Sequence, residues 1–215
     1  MRFLNGDAYG GQIGELLSHN IYAYCNNNPV NLHDPSGYWA IPSYIKKAAV
    51  KYAINWWNKR NKDYYSYSTD CANFVSQCLH AGGIAMNSEW HSYRIETTSF
   101  SLKGLVSSKF RYDWDVSEAW RLVGPQYNYF KNSSYVSGEL TVTSSNYMTK
   151  MDGVQIGDLL YFDYNGNGIP THAAIITSIS GGIRYAGHTT NRRYQPLDSF
   201  FEKNPNGKAY ILLMK

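Results

Sequence analysis

A chain of 215 residues with 43% hydrophobic and only 17% charged residues can bury a substantial core, which excludes disorder throughout. The formal net charge of +4 is mild, and lysines and arginines never run beyond pairs, so the concentrated basic face of a nucleic-acid-binding protein is not expected. No apolar stretch approaches the roughly 20 residues of a membrane-spanning helix, so membrane insertion is not expected either.

Residues 1–40 contain closely spaced turn signals with short apolar pieces between them, which predicts turns and brief strands rather than a core of their own. The signals are Asn5-Gly6, Gly10-Gly11, Asn26-Asn27-Asn28-Pro29 and Asp34-Pro35-Ser36-Gly37. The residues after Met1 lack the apolar core of a signal peptide. A chain expressed alone is therefore expected to stay in the cytoplasm.

Two helices are predicted next. Apolar residues recur at helical spacing from Ile45 to Trp57, with lysines on the opposite face. The second helix has Ser68 or Thr69 as its expected cap and Asp70 in its first turn, and Gly82-Gly83 ends it.

Residues 84–150 are rich in Ser, Thr and Tyr and predict one helix, around Ser117–Phe130. Strand patterns follow at Asp158–Asp163, His172–Ile179, Ile183–His188 and Ala209–Met214. The tight Ser180-Gly181-Gly182 link makes the middle two a hairpin. Helices first and antiparallel strands later predict an α+β domain over residues 41–215.

Cys71 lies at the start of the second predicted helix, where unpaired N–H groups and the helix dipole stabilise a thiolate. A nucleophilic cysteine also needs a base. His172 begins one strand of the predicted hairpin and His188 ends the other, so the two rings can lie side by side, one as base and one as its orienter.

A structural interpretation of the same residues stays open. Cys71 lies on the apolar stripe of its helix with Cys78, and buried cysteines are common small hydrophobes. His172 and His188, taken separately, are more often hydrogen-bonded structural residues. With Cys25 the chain has three cysteines, an odd number that cannot form a full disulfide framework.

No metal or cofactor is expected. The run from Asp163 to Gly168 begins like a calcium loop, but Ala174 stands where a bidentate Glu is needed. A polar turn explains the same residues. No set of Cys and His has the ligand spacing of a zinc site.

The nucleophile region resembles the signature of the putative amidase domain family found in many Firmicutes. The residues are Asp70-Cys71-Ala72-Asn73-Phe74-Val75-Ser76-Gln77-Cys78, followed by Ala81-Gly82-Gly83. Later blocks of that family match in order at Gly157–Asp163, His172–Ser178 and His188–Arg192, and the resemblance covers about residues 43–213. It implies the papain-like cysteine peptidase fold, in which N-terminal helices include the nucleophile helix, packed on an antiparallel sheet.

The resemblance also implies roles. Cys71, preceded by the Asp70 of the Asp-Cys motif, is the expected nucleophile, and His172 is the expected general base and acid. The third catalytic position falls to His188, with Asn191 in reserve. The oxyanion hole would combine the backbone N–H of Cys71 with a second donor. Since the stretch from Tyr64 to Asp70 contains no Gln, a Tyr hydroxyl is expected there.

The stretch from Ile21 to Asn31, running into Asp34-Pro35-Ser36-Gly37, resembles the end of an RHS-repeat-associated core domain. In proteins of that kind the core precedes a variable toxin domain. Residues 1–40 are accordingly interpreted as the C-terminal remnant of such a core. The resemblance implies secretion as part of a larger toxin, with a cognate immunity protein as partner.

The sequence therefore predicts a monomeric, cysteine-dependent amidase or peptidase without cofactors, with peptidoglycan peptides as the favoured substrate. One alternative is a glutamine deamidase or transglutaminase-like toxin that acts on a protein. Another is a module that binds cell wall or glycans through its aromatic residues without catalysis.

Overall fold

The computed structural model describes residues 43–98 and 110–215. The expectations for residues 1–40, including the RHS remnant and Cys25, lie outside the described residues. Along the chain, the elements are α1 (Ser43–Trp56), α2 (Cys71–Gly82), β1 (Ser92–Thr98), β2 (Phe110–Val116), α3 (Glu118–Arg121), α4 (Val123–Lys131), β3 (Val136–Thr143), β4 (Leu159–Asp163), β5 (His172–Ser178), β6 (Arg184–Gly187), β7 (Arg192–Pro196), α5 (Asp198–Lys203) and β8 (Lys208–Met214).

The strands form two antiparallel sheets. Strands β1 and β2 pair with each other, and the other six form a sheet in the order β3-β8-β4-β5-β6-β7. The predicted hairpin of β5 and β6 is confirmed, with Ile175 opposite Ala186. The chain is thus a mixed α+β protein, as expected. None of the helices in the described ranges is long and apolar enough to cross a bilayer.

Both predicted N-terminal helices are confirmed. Helix α2 ends as expected, with Gly83 in the left-handed conformation at φ 108°. Its start differs from the prediction, because Asp70 rather than Ser68 or Thr69 is the N-cap residue. The Asp70 side chain makes no capping bond to the helix, since it is engaged elsewhere.

The single helix predicted around Ser117–Phe130 is in fact two short helices. Leu122 between them is extended, at φ −113° and ψ 137°. Pro125 explains the break, because a proline ring clashes with the carbonyl four residues earlier, which belongs to Arg121, the last residue of α3. Within the first turn of α4 the same proline is tolerated.

The centre of the six-stranded sheet is buried on both faces, since every residue of β4 and β5 except Ser178 is buried. Helices α1 and α2 pack on one face, where Phe74 and Val75 contact the inward residues of β5. Phe162, Tyr185 and Phe200 of α5 fill the other face. This arrangement sets the N terminus of α2 against the middle of the sheet.

Candidate active site

Cys71 is the first residue of α2 and is 6% exposed. The N–H groups of the first helical turn have no partner within the helix and stabilise negative charge there. Because α2 packs on β5 and β6, this end of the helix is held against the sheet. The position suits a thiolate nucleophile.

His172 begins β5 and is 8% exposed. Its Nε2 atom has no hydrogen-bond partner in the part of the chain that the structure describes. Burial lowers the pKa of His172 from 6.5 to about 4, and the nearby positive charge of Arg192 acts in the same direction. At neutral pH the ring is therefore uncharged and can accept a proton.

Two tyrosines connect Cys71 with the region of His172. Burial raises the pKa of Tyr161, and the Cys71 charge adds to that rise. Burial also raises the pKa of Tyr164, where Arg192 acts against the rise and Cys71 adds to it. Between these two tyrosines, Phe162 lies directly opposite His172 in the β4–β5 ladder. Both groups are thus linked to the C-terminal end of β4, Cys71 through Tyr161 and Tyr164 and His172 through its pairing with Phe162.

Asp70 is fully buried and accepts hydrogen bonds on both carboxylate oxygens. Oδ1 accepts from Asn73 Nδ2 at 2.7 Å and from the Tyr67 backbone N–H at 3.3 Å. Oδ2 pairs with His188 Nδ1 at 2.7 Å and with Arg60 Nε at 3.1 Å. Asp70 therefore links the loop before α2 to the turn after β6.

His188 lies in that turn, with its ring stacked on Phe74 at a centroid distance of 3.8 Å. Nδ1 faces the Asp70 carboxylate, and Nε2 lies 2.8 Å from the carbonyl oxygen of Trp56 at the end of α1. Both partners are acceptors, so the ring bonds both only with a hydrogen on each nitrogen. Neither nitrogen is left free to orient His172.

Asn191, the reserve candidate for the third position, is exposed in the β6–β7 turn. Its Oδ1 accepts two bonds from the guanidinium of Arg60, both at 3.2 Å. Arg60 in turn pairs with Asp70. Asn191 therefore lies at the outer end of the Asp70 network, and no hydrogen bond joins its side chain to His172 in the described part of the chain.

The tyrosines of the loop before Asp70 have partners of their own. Tyr64 stacks on Trp120 at 5.6 Å, and Tyr65 packs on Tyr67 at 4.7 Å. The tyrosines whose pKa responds to Cys71 come instead from β4 and the following turn, as described above. The oxyanion role expected of a loop tyrosine stays a prediction.

The run that begins like a calcium loop forms a turn closed by its own aspartate. Asp163 accepts the backbone N–H groups of Asn167 at 3.2 Å and Gly168 at 2.7 Å, and the Tyr210 hydroxyl at 3.3 Å. Among residues 43–98 and 110–215, no three His, Cys, Asp or Glu residues are grouped to hold a metal ion.

Sequence reasoning missed four contributors to this region: Arg60, the Trp56 carbonyl, Tyr164 and Arg192. Arg60 pairs with Asp70, and the Trp56 carbonyl contacts His188 from the far end of the described chain. Arg192 lies within one of the blocks that carry the family resemblance. That position was the one signal that pointed to it.

Fold and site together define a mixed α+β domain with a thiol at a helix N terminus and a buried imidazole whose Nε2 atom has no partner among the described residues. The sequence matches the model of the family described as "Putative amidase domain" over residues 43–212, and the chain belongs to this family. An amidase-like domain indicates a hydrolase.

Curated relatives of the chain come from Bacillus subtilis (strain 168). The chain is 32% identical over 139 residues to the uncharacterized protein YhbB, covering 65% of this chain and 39% of that protein. It is 28% identical over 181 residues to the uncharacterized protein YjcM, covering 80% of this chain and 37% of that protein. The chain therefore matches well under half the length of either relative. No solved structure matches significantly.

Proposed function

We propose that this protein is a cysteine-dependent amide hydrolase with Cys71 as the nucleophile and His172 as the general base and acid. The observation that carries the proposal is the pairing of two features at one end of the sheet. One is a cysteine at the first position of a helix, and the other is a buried, uncharged histidine whose Nε2 atom has no partner among the described residues.

The chemistry follows from these two groups. His172 takes the thiol proton as Cys71 Sγ attacks the amide carbonyl carbon. When the carbon–nitrogen bond breaks, that proton goes to the leaving amine, and a thioester remains on Cys71. Water then attacks the thioester with His172 as base, which releases the acid and restores the thiol. The Cys71 backbone N–H donates to the oxyanion.

Asp70 and His188 take a positioning role in this proposal. The Asp70–His188 hydrogen bond and the Trp56 carbonyl fix the end of α1, the loop before α2 and the turn after β6 to one another. Arg60 extends the same network to Asn191 at the surface. A nucleophile held at a fixed helix start is the geometry that attack on a planar amide requires.

The finer assignments rest on the sequence resemblance. We assign the papain-like arrangement to the domain, because a nucleophile helix on an antiparallel sheet is its defining feature. Peptidoglycan peptides are the favoured substrate. The resemblance of residues 1–40 to an RHS core supports the role of a toxin domain that is exported within a larger protein and neutralised by an immunity partner.

The first test is hydrolysis of purified peptidoglycan peptides, followed by mass spectrometry. Cys71→Ala is expected to abolish release of products and His172→Ala to lower it at least a hundredfold. Cys78→Ala is the matched control, because Cys78 is fully buried in the same helix and burial holds its thiol pKa well above the ordinary value. Hydrolysis that survives Cys71→Ala overturns the proposal.

The second test measures alkylation of Cys71 by iodoacetamide against pH, with each cysteine peptide read separately. Fast labelling below pH 8 that slows in His172→Ala supports an activated thiol. Labelling with a midpoint near 8.5 in both proteins identifies a structural cysteine.

A mass gain of about one dalton on a protein glutamine, without peptide cleavage, identifies a deamidase instead.

A further inference from the structure

Arg192, the first residue of β7, is half-buried. Its Nη1 donates to the Tyr185 hydroxyl at 2.6 Å, and its charge opposes the rise in the pKa of Tyr164 that burial causes. In the described ranges, no carboxylate forms an ion pair with this guanidinium. A guanidinium carries five N–H donors in a fork that matches a carboxylate, and the Tyr185 hydroxyl uses only one side of it.

The register of the sheet points Arg192 toward His172. Arg192 is directly opposite Gly187 in the β6–β7 ladder, and residues paired in this way share a face of the sheet. A Cβ atom built on Gly187 would lie 3.7 Å from Nε2 of His172. Because Gly187 has no side chain, nothing of that residue stands between the guanidinium and the imidazole.

The charges agree with this placement. Burial is the main cause that lowers the pKa of His172, and the positive charge of Arg192 is the second cause. It also acts on Tyr164, which is 37% exposed and feels the Cys71 charge as well. Arg192 and Tyr164 therefore border the proposed catalytic pair on a side that solvent reaches.

We propose that Arg192 and Tyr164 form a carboxylate-binding subsite beside Cys71, so that the substrate is an acidic peptide with a carboxylate next to the scissile amide. The guanidinium donates two parallel N–H bonds to the carboxylate and Tyr164 donates its hydroxyl. The substrate class rests on the proposed function. Binding of an anion beside Cys71 does not, since it needs no turnover.

The experiment compares iodoacetate with iodoacetamide as probes of Cys71. Both transfer their CH₂ carbon to the thiolate and release iodide, but only iodoacetate carries a carboxylate. The measured quantity is the rate of alkylation by iodoacetate divided by the rate of alkylation by iodoacetamide, read at the Cys71 peptide. In Arg192→Gln this ratio is expected to fall at least about tenfold, or about 1.4 kcal/mol, because the charge-assisted bonds to the carboxylate are lost.

Arg193→Gln is the matched control. It removes the same charge one residue further along, where the guanidinium lies over the ring of its exposed neighbour Tyr194 at 5.2 Å. Its ratio is expected to stay at the wild-type value. An unchanged ratio in Arg192→Gln overturns the subsite, and so does an equal fall in Arg193→Gln, because net charge alone would then explain the effect.

Two further measurements keep the proposal testable. If Arg192→Gln does not fold, succinate is expected to protect wild-type Cys71 from iodoacetamide while neutral succinamide does not; equal protection overturns the subsite. His172→Ala separates the two proposals. If its iodoacetamide rate equals that of the wild type while the ratio still depends on Arg192, the subsite stands and the catalytic assignment fails.

Discussion

At the scale of single residues, His172 is an uncharged base held in an apolar site. Its ring packs near Phe162, at 5.7 Å between centroids, and Nε2 has no partner in the described part of the chain. An unpaired buried nitrogen has an energetic cost in the folded protein, and such costs are common where a group must meet a substrate. The same burial that keeps the ring neutral couples folding to pH.

The free energy of unfolding should fall as acid is added, because of His172. Between pH 6.5 and about 4 the unfolded chain binds a proton at this ring and the folded protein does not, so protons favour unfolding in that window. The full effect is about 3 kcal/mol. Urea titrations at pH 7 and 4 should show wild type losing about that much more than His172→Gln. Equal losses of unfolding free energy in the two proteins would contradict the assignment of this pH dependence to His172.

A second residue-scale prediction concerns Asp70. Asp70→Ala leaves Nδ1 of the buried His188 ring and the Arg60 guanidinium without their carboxylate partner. Loss of one member of a buried pair costs about 3 kcal/mol of unfolding free energy. Asp63→Ala, at an exposed position in the same loop, should stay within about 0.5 kcal/mol of wild type. A loss for Asp70→Ala as small as that of the control would remove the positioning role.

At the scale of elements, helix α1 lies close against the turn that precedes β4. Gly157 in this turn has φ +90°, and a Cβ atom there would lie 2.7 Å from the Cβ and 3.1 Å from the Cα of Lys46. Neither atom is the end of a flexible side chain. The helix itself would have to move to admit a methyl group.

Gly157→Ala should therefore lower the unfolding free energy by about 3 kcal/mol, from left-handed strain and overpacking together. Gly181→Ala separates the two causes, since Gly181 also has a positive φ, +67°, but has open space around it. That control should cost about 1 kcal/mol. Thermal and urea unfolding of both variants would measure the difference. Equal losses of unfolding free energy would mean that α1 can shift to admit the methyl group at little cost.

Helices and strands could be predicted from sequence where a single hydrophobic pattern extends through the whole segment. Helix α2 has an apolar stripe and a double glycine at its end, and β4, β5 and β8 are short apolar runs. Strand β7 was missed because its five residues are half-buried or exposed, without an apolar run. The break at Leu122 had a readable cause in Pro125. Its position four residues after Arg121 was the available signal.

At the scale of the whole molecule, the site combines residues that only the fold brings together. The nucleophile and the base candidates could be found from sequence, because a helix start and a strand start leave local patterns. The partners of Asp70 could not. His188 reaches it across 118 residues, a contact that no local pattern encodes, and the irregular loop that carries Arg60 has no periodicity from which its pairing could be predicted.

The same dependence on distant contacts appears in a buried ion pair that joins the first described helix to the last strand. Lys46 Nζ of α1 lies 3.0 Å from both Asp158 Oδ1 and Gln155 Oε1. Asp158 also accepts the backbone N–H of Met214 in β8 at 3.0 Å. Burial raises the pKa of Asp158, and Lys46 opposes that rise.

Lys46→Met removes the only cation within bonding distance of Asp158 in the described chain, and should lower the unfolding free energy by about 3 kcal/mol at pH 7. The loss should shrink toward pH 5, because without Lys46 the folded protein binds a proton at Asp158 more readily than the unfolded chain does, so acid then favours folding. Urea titrations at both pH values measure this, with Lys47→Met, at the exposed neighbouring position, as the control. A loss that is independent of pH would mean that the stem of Lys46 matters more than its charge.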